Sequence, residues 1–168
     1  MVGLLGSEVV YNEGFIDGAW ITDFKNPPRR IPGVRSVTDV DEVNDRLIGS
    51  RRSTRLVIDT RGELLWRVDE GYLIAFSPRG SRVLARVRDE YVVLDTDDGS
   101  RLATFALPGR LKSWDLAWED ERHVLAVVNA RGRTAVLRMG PAGSVERATP
   151  VLAVPDPADP PYVLATLS

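Results

Sequence analysis

Short apolar runs separated by turn residues recur along this chain. The clearest stretch runs from Gly71 to Leu107. Apolar segments at Tyr72–Phe76, Arg82–Arg88, Tyr91–Asp95 and Leu102–Leu107 are divided by Ser77-Pro78-Arg79-Gly80, Asp89-Glu90 and Thr96-Asp97-Asp98-Gly99. Such short segments, rich in Val, Leu, Tyr and Phe, predict strands. The Pro, Gly and Asp between them supply the preset or positive φ that hairpins require. The alternation is unusual. In Arg82–Arg88 one face carries Val83, Ala85 and Val87, and the other carries Leu84 beside Arg86. Tyr91 and Val93 face one way, Val92 and Leu94 the other. A sheet with one wet face alternates more strictly, so these hairpins are expected to stack between neighbouring sheets.

The pattern repeats on both sides. Upstream, Val34–Val40, Arg46–Gly49, Arg55–Asp59 and Glu63–Val68 fit the same template, with a turn near Glu42–Asp45. Downstream, Lys112–Trp118, Val124–Val128, Thr134–Met139 and Ser144–Ala148 fit it again. Two anchors mark the period. The triplets Ile21-Thr22-Asp23, Val57-Ile58-Asp59 and Val93-Leu94-Asp95 fall 36 residues apart, with Val136-Leu137-Arg138 as a fourth copy that lacks the Asp. Leu47, Leu84, Leu125 and Leu164 are separated by 37, 41 and 39 residues. A repeat of this length predicts one supersecondary unit per copy. Leu111, Trp114 and Trp118 have helical spacing. Strand is nonetheless expected there, because Leu116-Ala117-Trp118 aligns with Ile74-Ala75-Phe76.

The expected organisation is one all-β domain over residues 1–168, built of consecutive four-stranded antiparallel units. Full units occupy about 34–69, 70–108 and 109–149, and partial ones about 1–33 and 150–168. The N-terminal part supplies the later strands of a unit, at Glu8–Tyr11, Ala19–Phe24 and Arg29–Ile31. The C-terminal part supplies Val151–Val154 and Tyr162–Leu167 around the turn Pro155–Pro161.

At Phe76-Ser77-Pro78-Arg79-Gly80, followed by Val83-Leu84-Ala85 and closed by Val92-Val93-Leu94-Asp95, the chain resembles a WD-repeat β-propeller or one of its bacterial relatives. It departs from that family in two ways. No Gly-His pair opens a unit, and no Trp precedes Asp59 or Asp95. The resemblance implies blades of a propeller and a general binding role. About four blades are expected, either as a small closed ring, as a segment of a larger ring, or as a ring completed by a second copy of the chain.

Composition narrows function mainly by exclusion. The 168 residues are 43% apolar and 27% charged, which is ordinary for a folded domain. A net charge of −2 gives no reason to expect nucleic acid or an anionic membrane as partner. No cysteine is present, so disulfides and thiolate metal sites are absent. No apolar run approaches bilayer length, and a cytoplasmic location is expected if the chain is not part of a longer protein. Lys25 and Lys112 are the only lysines, so the basic residues are nearly all arginines, which offer planar, bidentate donors.

No constellation of catalytic, cofactor or metal-binding residues stands out. His123, the lone histidine, is expected at a strand edge or turn. Asp95, Asp97, Asp98 and Gly99 resemble a calcium loop but lack its spacing, so a hairpin turn is expected. Asp39, Asp41, Glu42 and Asp45 are expected at a solvated turn. Trp20, Trp66, Trp114 and Trp118 suit packing between sheets. Trp114, beside Asp115 and out of step with the repeat, is the best candidate among them for a stacking surface. The remaining candidates are arginines. On the propeller template, the loops that join units and those that join second to third strands share one rim. They carry Arg35, Arg51, Arg52, Arg88, Arg110 and Arg131, with Asp69, Glu70, Asp89 and Glu90 among them. Such a rim suits an acidic protein or peptide held by charge-assisted bonds. The function expected is a non-enzymatic binding scaffold. The alternative is a fragment of a larger propeller enzyme or sensor whose functional residues lie elsewhere.

Overall fold

A computed structural model describes residues 2–14, 18–107, 115–154, 162 and 164. These form four antiparallel sheets, each built from strands that follow one another in sequence. Sheet 1 holds β1 (Gly3–Leu5), β2 (Glu8–Asn12), β3 (Ala19–Thr22) and β4 (Arg29–Arg30). Sheet 2 holds β5 (Ser36–Asp41), β6 (Arg46–Arg51), β7 (Thr54–Asp59) and β8 (Leu64–Val68). Sheet 3 holds β9 (Tyr72–Phe76), β10 (Arg82–Val87), β11 (Glu90–Asp95) and β12 (Arg101–Phe105). Sheet 4 holds β13 (Leu116–Trp118), β14 (Val124–Ala130), β15 (Arg133–Met139) and β16 (Val145–Arg147), with β17 (Leu152–Ala153) also paired to β15. The first strands β1, β5 and β9 touch in series, so the sheets converge on their first strands. No helix among the described residues is long and apolar enough to cross a membrane.

The strands of sheets 2 and 3 lie within two residues of their expected bounds, while three features differ from expectation. Sheet 1 has a first strand, Gly3–Leu5, that the sequence did not single out. The run is short, and its glycine sits where Val40 of sheet 2 packs closely. The segment 151–154 does not open a further unit. It lies along β15, where Arg133 pairs with Ala153, while β16 pairs with the other end of β15. Together β16 and β17 make one outer strand interrupted at Thr149-Pro150. Pro150 has no N–H to give to a ladder, and beside it the Val136 N–H turns to Thr149 Oγ1, at 2.9 Å. Finally, only Leu116–Trp118 of the expected strand Lys112–Trp118 is seen as strand; residues 112–114 lie outside the described residues. Trp118 pairs with Val124 as Phe76 pairs with Val83, which is the alignment expected from the repeat. Of Tyr162–Leu167 only Tyr162 and Leu164 are described, and the turn Pro155–Pro161 lies outside.

The doubly apolar strands divide their side chains between separate cores. Val83, Ala85, Val92 and Leu94 join Ile48, Val57 and Trp66 in a cluster between sheets 2 and 3. Leu84, Tyr91 and Val93, from the same two strands, join Leu116, Val124, Ala126 and Met139 between sheets 3 and 4. Leu47, Leu56 and Ile58 pack with Val10, Ala19 and Ile21 between sheets 1 and 2. Each fully buried Leu, Ile or Val contributes roughly 1.5–3 kcal/mol, so stacking dominates the stability of every sheet.

Polar side chains then fasten sheet to sheet through backbone atoms. Asn12 acts as a two-pronged clip: its Nδ2 donates to Val37 O and its Oδ1 accepts from Val37 N, both at 2.8 Å. Asp39 accepts from Phe76 N at 2.6 Å. Trp66 Nε1 donates to Thr96 O at 2.6 Å, and Trp118 Nε1 to Ala75 O at 3.2 Å. Glu121 accepts from Ser77 Oγ at 2.7 Å, from Arg79 N at 2.8 Å and from Ser81 Oγ. The expectation of a solvated turn fails for Asp39 and Asp41. Asp41 is only 4% exposed and takes Asn44 Nδ2 at 2.8 Å, while the Asp39 carboxylate bonds the next sheet. Asp39 thereby satisfies the N–H of Phe76 from the neighbouring sheet, and Asp41 those of Val43 and Asn44 in its own hairpin.

Two predictions follow from these fasteners. Burial raises the pKa of Asp39 against the opposing bond from Phe76 N. An acid whose folded pKa is raised loses stability as pH climbs from its unfolded to its folded value. Asp39→Asn keeps an acceptor for Phe76 N and removes the buried charge, so at pH 7 it should melt at or above the wild type. Asp39→Ala should cost about 1–3 kcal/mol by orphaning that N–H. For Glu121, burial pushes the carboxyl up, but bonds from Ser81, Ser77 and Arg79 together hold it below its ordinary value of 4.5. A depressed acid stabilises the fold above its unfolded pKa and loses that contribution as pH falls through the folded one. Thermal melts from pH 7 to pH 3 should therefore show Glu121→Gln less stable at pH 7, with the gap shrinking as pH falls below 4.5.

Candidate binding rim

The fastening contacts fix which loops share an end of the molecule. Gly6 N in the first hairpin of sheet 1 donates to Glu42 in the first hairpin of sheet 2, at 3.2 Å. Asn44 of that hairpin donates to Arg79 O in the first hairpin of sheet 3, at 3.1 Å. Glu121, in the first hairpin of sheet 4, closes on the same turn of sheet 3. All first hairpins thus meet at one rim, and the second hairpins project from the opposite rim.

That opposite rim carries the arginines. The loops Arg52-Ser53, Arg88-Asp89 and Arg131-Gly132 join second to third strands in sheets 2, 3 and 4, and each has two residues. In each the first loop residue is arginine, in the left-handed region, with φ of 56°, 56° and 51° for Arg52, Arg88 and Arg131. Gly or Asn normally fills this position, and a side chain with a Cβ costs about 1–2 kcal/mol there. On the other rim the left-handed positions include Asp45 and Gly80 and also Phe24 and Ala142, which do not recur at one position from sheet to sheet. A Cβ on Gly80 would meet the Asp41 carboxylate at 1.9 Å. Arg35, beside the end of β6, bonds Ser50 O through its N–H at 2.8 Å and so stands next to Arg51.

The candidate arginines differ in pairing. Arg88 bonds Glu70 at 3.2 Å, with both side chains mostly exposed. Arg35, Arg51, Arg52 and Arg131 make no ion pair with a described residue. Arg51 and Arg52 border a cleft of about 470 Å³ together with Leu56, Leu64 and Arg67. Arg110 and Trp114 lie outside the described residues.

A second concavity, of about 430 Å³, opens at the inner end of this rim among sheets 2, 3 and 4. Its wall combines Thr38, Leu73, Ile74, Tyr91 and Leu116 with two arginines, Arg55 and Arg86, and with Tyr72. Arg55 lies over the Tyr72 ring, 5.1 Å from its centroid. Arg86 is the cross-strand partner of Tyr72 and of Tyr91. Its Nη2 donates to Asp89 Oδ1 at 3.0 Å, while its buried Nε–H finds no acceptor among the described residues. Sequence reading did not mark Arg55, Tyr72 or Arg86 as site residues. The signal was Arg86 itself, a charge within a middle strand between the apolar residues Ala85 and Val87.

The other candidates have structural partners. Trp66 and Trp118 pack between sheets and spend their N–H groups on neighbouring backbone. In the acidic hairpin after β11, Asp95 accepts from Asp97 N at 2.8 Å and Asp98 accepts from Ser100 N at 2.7 Å. His123 Nδ1 lies 2.9 Å from Asp120 Oδ2. Ligand atoms of Glu119, Asp120 and His123 come within 4.8 Å of one another. Arg138, however, already bonds Glu119 and, at 3.3 Å, Glu146. The backbone N–H of Arg122 and then the His123 ring hold Asp120 down to about 2. This cluster is a latch on the first hairpin of sheet 4, with Arg138 among its carboxylates.

No family model matches the sequence, and no curated protein matches it. Solved structures do. Kluyveromyces lactis Hsv2p superposes with a TM-score of 0.60 at 13% identity, over 91% of this chain and 60% of its own. The β-propeller domain of the Trilobed protease from Pyrococcus furiosus gives 0.60 at 10% identity, over 87% of this chain and 55% of its own. The Swd1 β-propeller domain of Myceliophteria thermophila gives 0.54 at 16%, over 83% and 54%. The chain has the β-propeller fold. Its four sheets are blades, and they span less than two thirds of the length of these propellers.

If the left-handed arginines are kept at a cost to the fold, removing them should show it. Arg52→Gly and Arg88→Gly should each raise stability in urea melts by about 1 kcal/mol. A loss of stability in both would contradict the strain assigned to these turns.

Proposed function

We propose that this propeller is a non-enzymatic scaffold that binds an acidic protein segment across the rim of its second hairpins. One observation supports this most. Three consecutive blades place arginine at the same strained loop position of the same rim. Backbone strain that recurs in register is a pointer to function, since glycine would relieve it without altering the hairpin. Arg35 and Arg51 extend the same basic surface. Guanidinium groups suit carboxylates, because their planar donors form two parallel bonds to one acidic group. The rigid blades beneath hold the loops in fixed relation, which lowers the ordering cost of binding.

A second reading is favoured by length. The four blades match little more than half of the propellers they superpose on. The chain then serves as part of a larger propeller enzyme or sensor, with functional residues on other blades.

Fluorescence anisotropy with a labelled, Glu-rich decapeptide tests the first reading. Arg51→Ala combined with Arg52→Ala should weaken binding about tenfold at low salt, and rising salt should weaken the wild type steadily. Equal affinity for wild type and double variant would count against the rim.

A further inference from the structure

The cavity at the inner end of the rim has features that a general basic surface does not need. Its wall is mostly apolar, from Leu73, Leu116 and the rings of Tyr72 and Tyr91. Two guanidinium groups enter it from different blades, Arg55 from blade 2 and Arg86 from blade 3. Arg55 stacks on Tyr72, and Arg86, opposite Tyr72 in the sheet, is held by its bond to Asp89. Each guanidinium therefore has one partner that orients it. Arg55 makes no ion pair with a described residue. Arg86 spends one Nη on Asp89, and its Nε–H is left without an acceptor. Among the described lining residues and their ion-pair partners, two guanidinium charges face one carboxylate, beside an apolar wall.

We propose that this cavity binds a single carboxylate carried on an apolar body. A monoanion matches the one unbalanced charge, while the leucines and tyrosine rings cover the body that bears it. A phosphate dianion would bring more charge than the wall neutralises and no apolar surface to bury. A buried N–H without an acceptor is costly, and a ligand that draws Arg86 into a bidentate pair relieves that cost. The carboxylate has two available sources, a residue of a segment docked on the rim or a free small acid. The first source rests on the rim reading above, and the second does not.

The test uses the full chain and nitrogen-15 NMR, which reads both backbone amides and arginine Nε–H groups. N-acetyl-leucine is titrated against N-acetyl-leucinamide, which has the same body without the charge. The acid should shift the amides of Tyr72, Leu73 and Arg86 and the Nε–H signals of Arg55 and Arg86. The amide should bind at least about tenfold more weakly. Arg55→Gln and Arg86→Lys should each weaken the acid about tenfold, while Arg51→Ala with Arg52→Ala should leave it unchanged. Arg55→Gln alone decides the matter if the Arg86 variant fails to fold, because Arg55 sits at a strand end. Displacement of the acid by the Glu-rich peptide would assign the cavity to a docked segment, and retention of the acid would assign it to a free one; both support the site. Equal binding of acid and amide, shifts that map elsewhere, or inorganic phosphate binding more tightly than the acid would each overturn it. Loss of peptide binding in the Arg51 and Arg52 double variant reports on the rim separately, so failure of one reading is not mistaken for failure of the other.

Discussion

A strand that is apolar on both faces must be covered on both faces, and the rest of this structure depends on that constraint. Leu84 and Val83 are adjacent residues, yet they are buried in different cores. The same is true of Leu47 and Ile48. A two-layer sandwich has no second core to offer the outward residue. Serial stacking of small sheets does, and convergence on the first strands turns that series into the start of a ring. The hydrophobic term therefore chooses the architecture, and polar contacts refine it.

The refinement follows a consistent rule. Side chains from one blade satisfy backbone groups at the edge or turn of the next, as Asn12, Asp39, Trp66 and Glu121 do. Each contact fixes the relative height of two blades as well as the distance between them. It also sorts the loops. Because the first hairpins are tied together by Glu42, Asn44 and Glu121, the second hairpins project from the other rim. The rim proposed for binding carries fewer of these ties: the Asn12 clip near the ends of β2 and β5, the Arg88–Glu70 pair and the Val154 N–H bond to Gly132 O. Its arginines carry local strain, and its inner cavity holds a guanidinium with an unmet donor. Both features cost stability, which is what a surface shaped by binding shows.

Much of the fold was legible because its determinants are local. Turn residues mark the hairpins, and alternation with two apolar faces marks the stacking; Leu116-Ala117-Trp118 took the register of Ile74-Ala75-Phe76 despite the helical spacing of nearby tryptophans. The illegible parts depend on distant partners. Gly3–Leu5 is too short to announce a strand and is defined by pairing with β2 and packing on Val40. Residues 151–154 look like a new beginning, but Pro150 merely interrupts an outer strand. Asp39 and Asp41 look like solvated acids because the sequence does not show the backbone N–H brought to Asp39 from 37 residues away. For the site, loop positions of Arg52, Arg88 and Arg131 followed from the repeat, but their backbone strain did not. Arg55 and Arg86 became a pair only when two blades met over Tyr72.

Native-state hydrogen exchange on the amides of Leu84 and Val93 tests the central claim most directly. These residues lie on middle strands of blade 3, facing blade 4, while their neighbours Val83 and Val92 face blade 2. If stacking on both faces holds the blade, all four amides should exchange only through the global unfolding measured by denaturant, and Glu121→Ala should speed all four together. Exchange of blade 3 by a separate, lower-energy opening that ignores Glu121 would contradict the account.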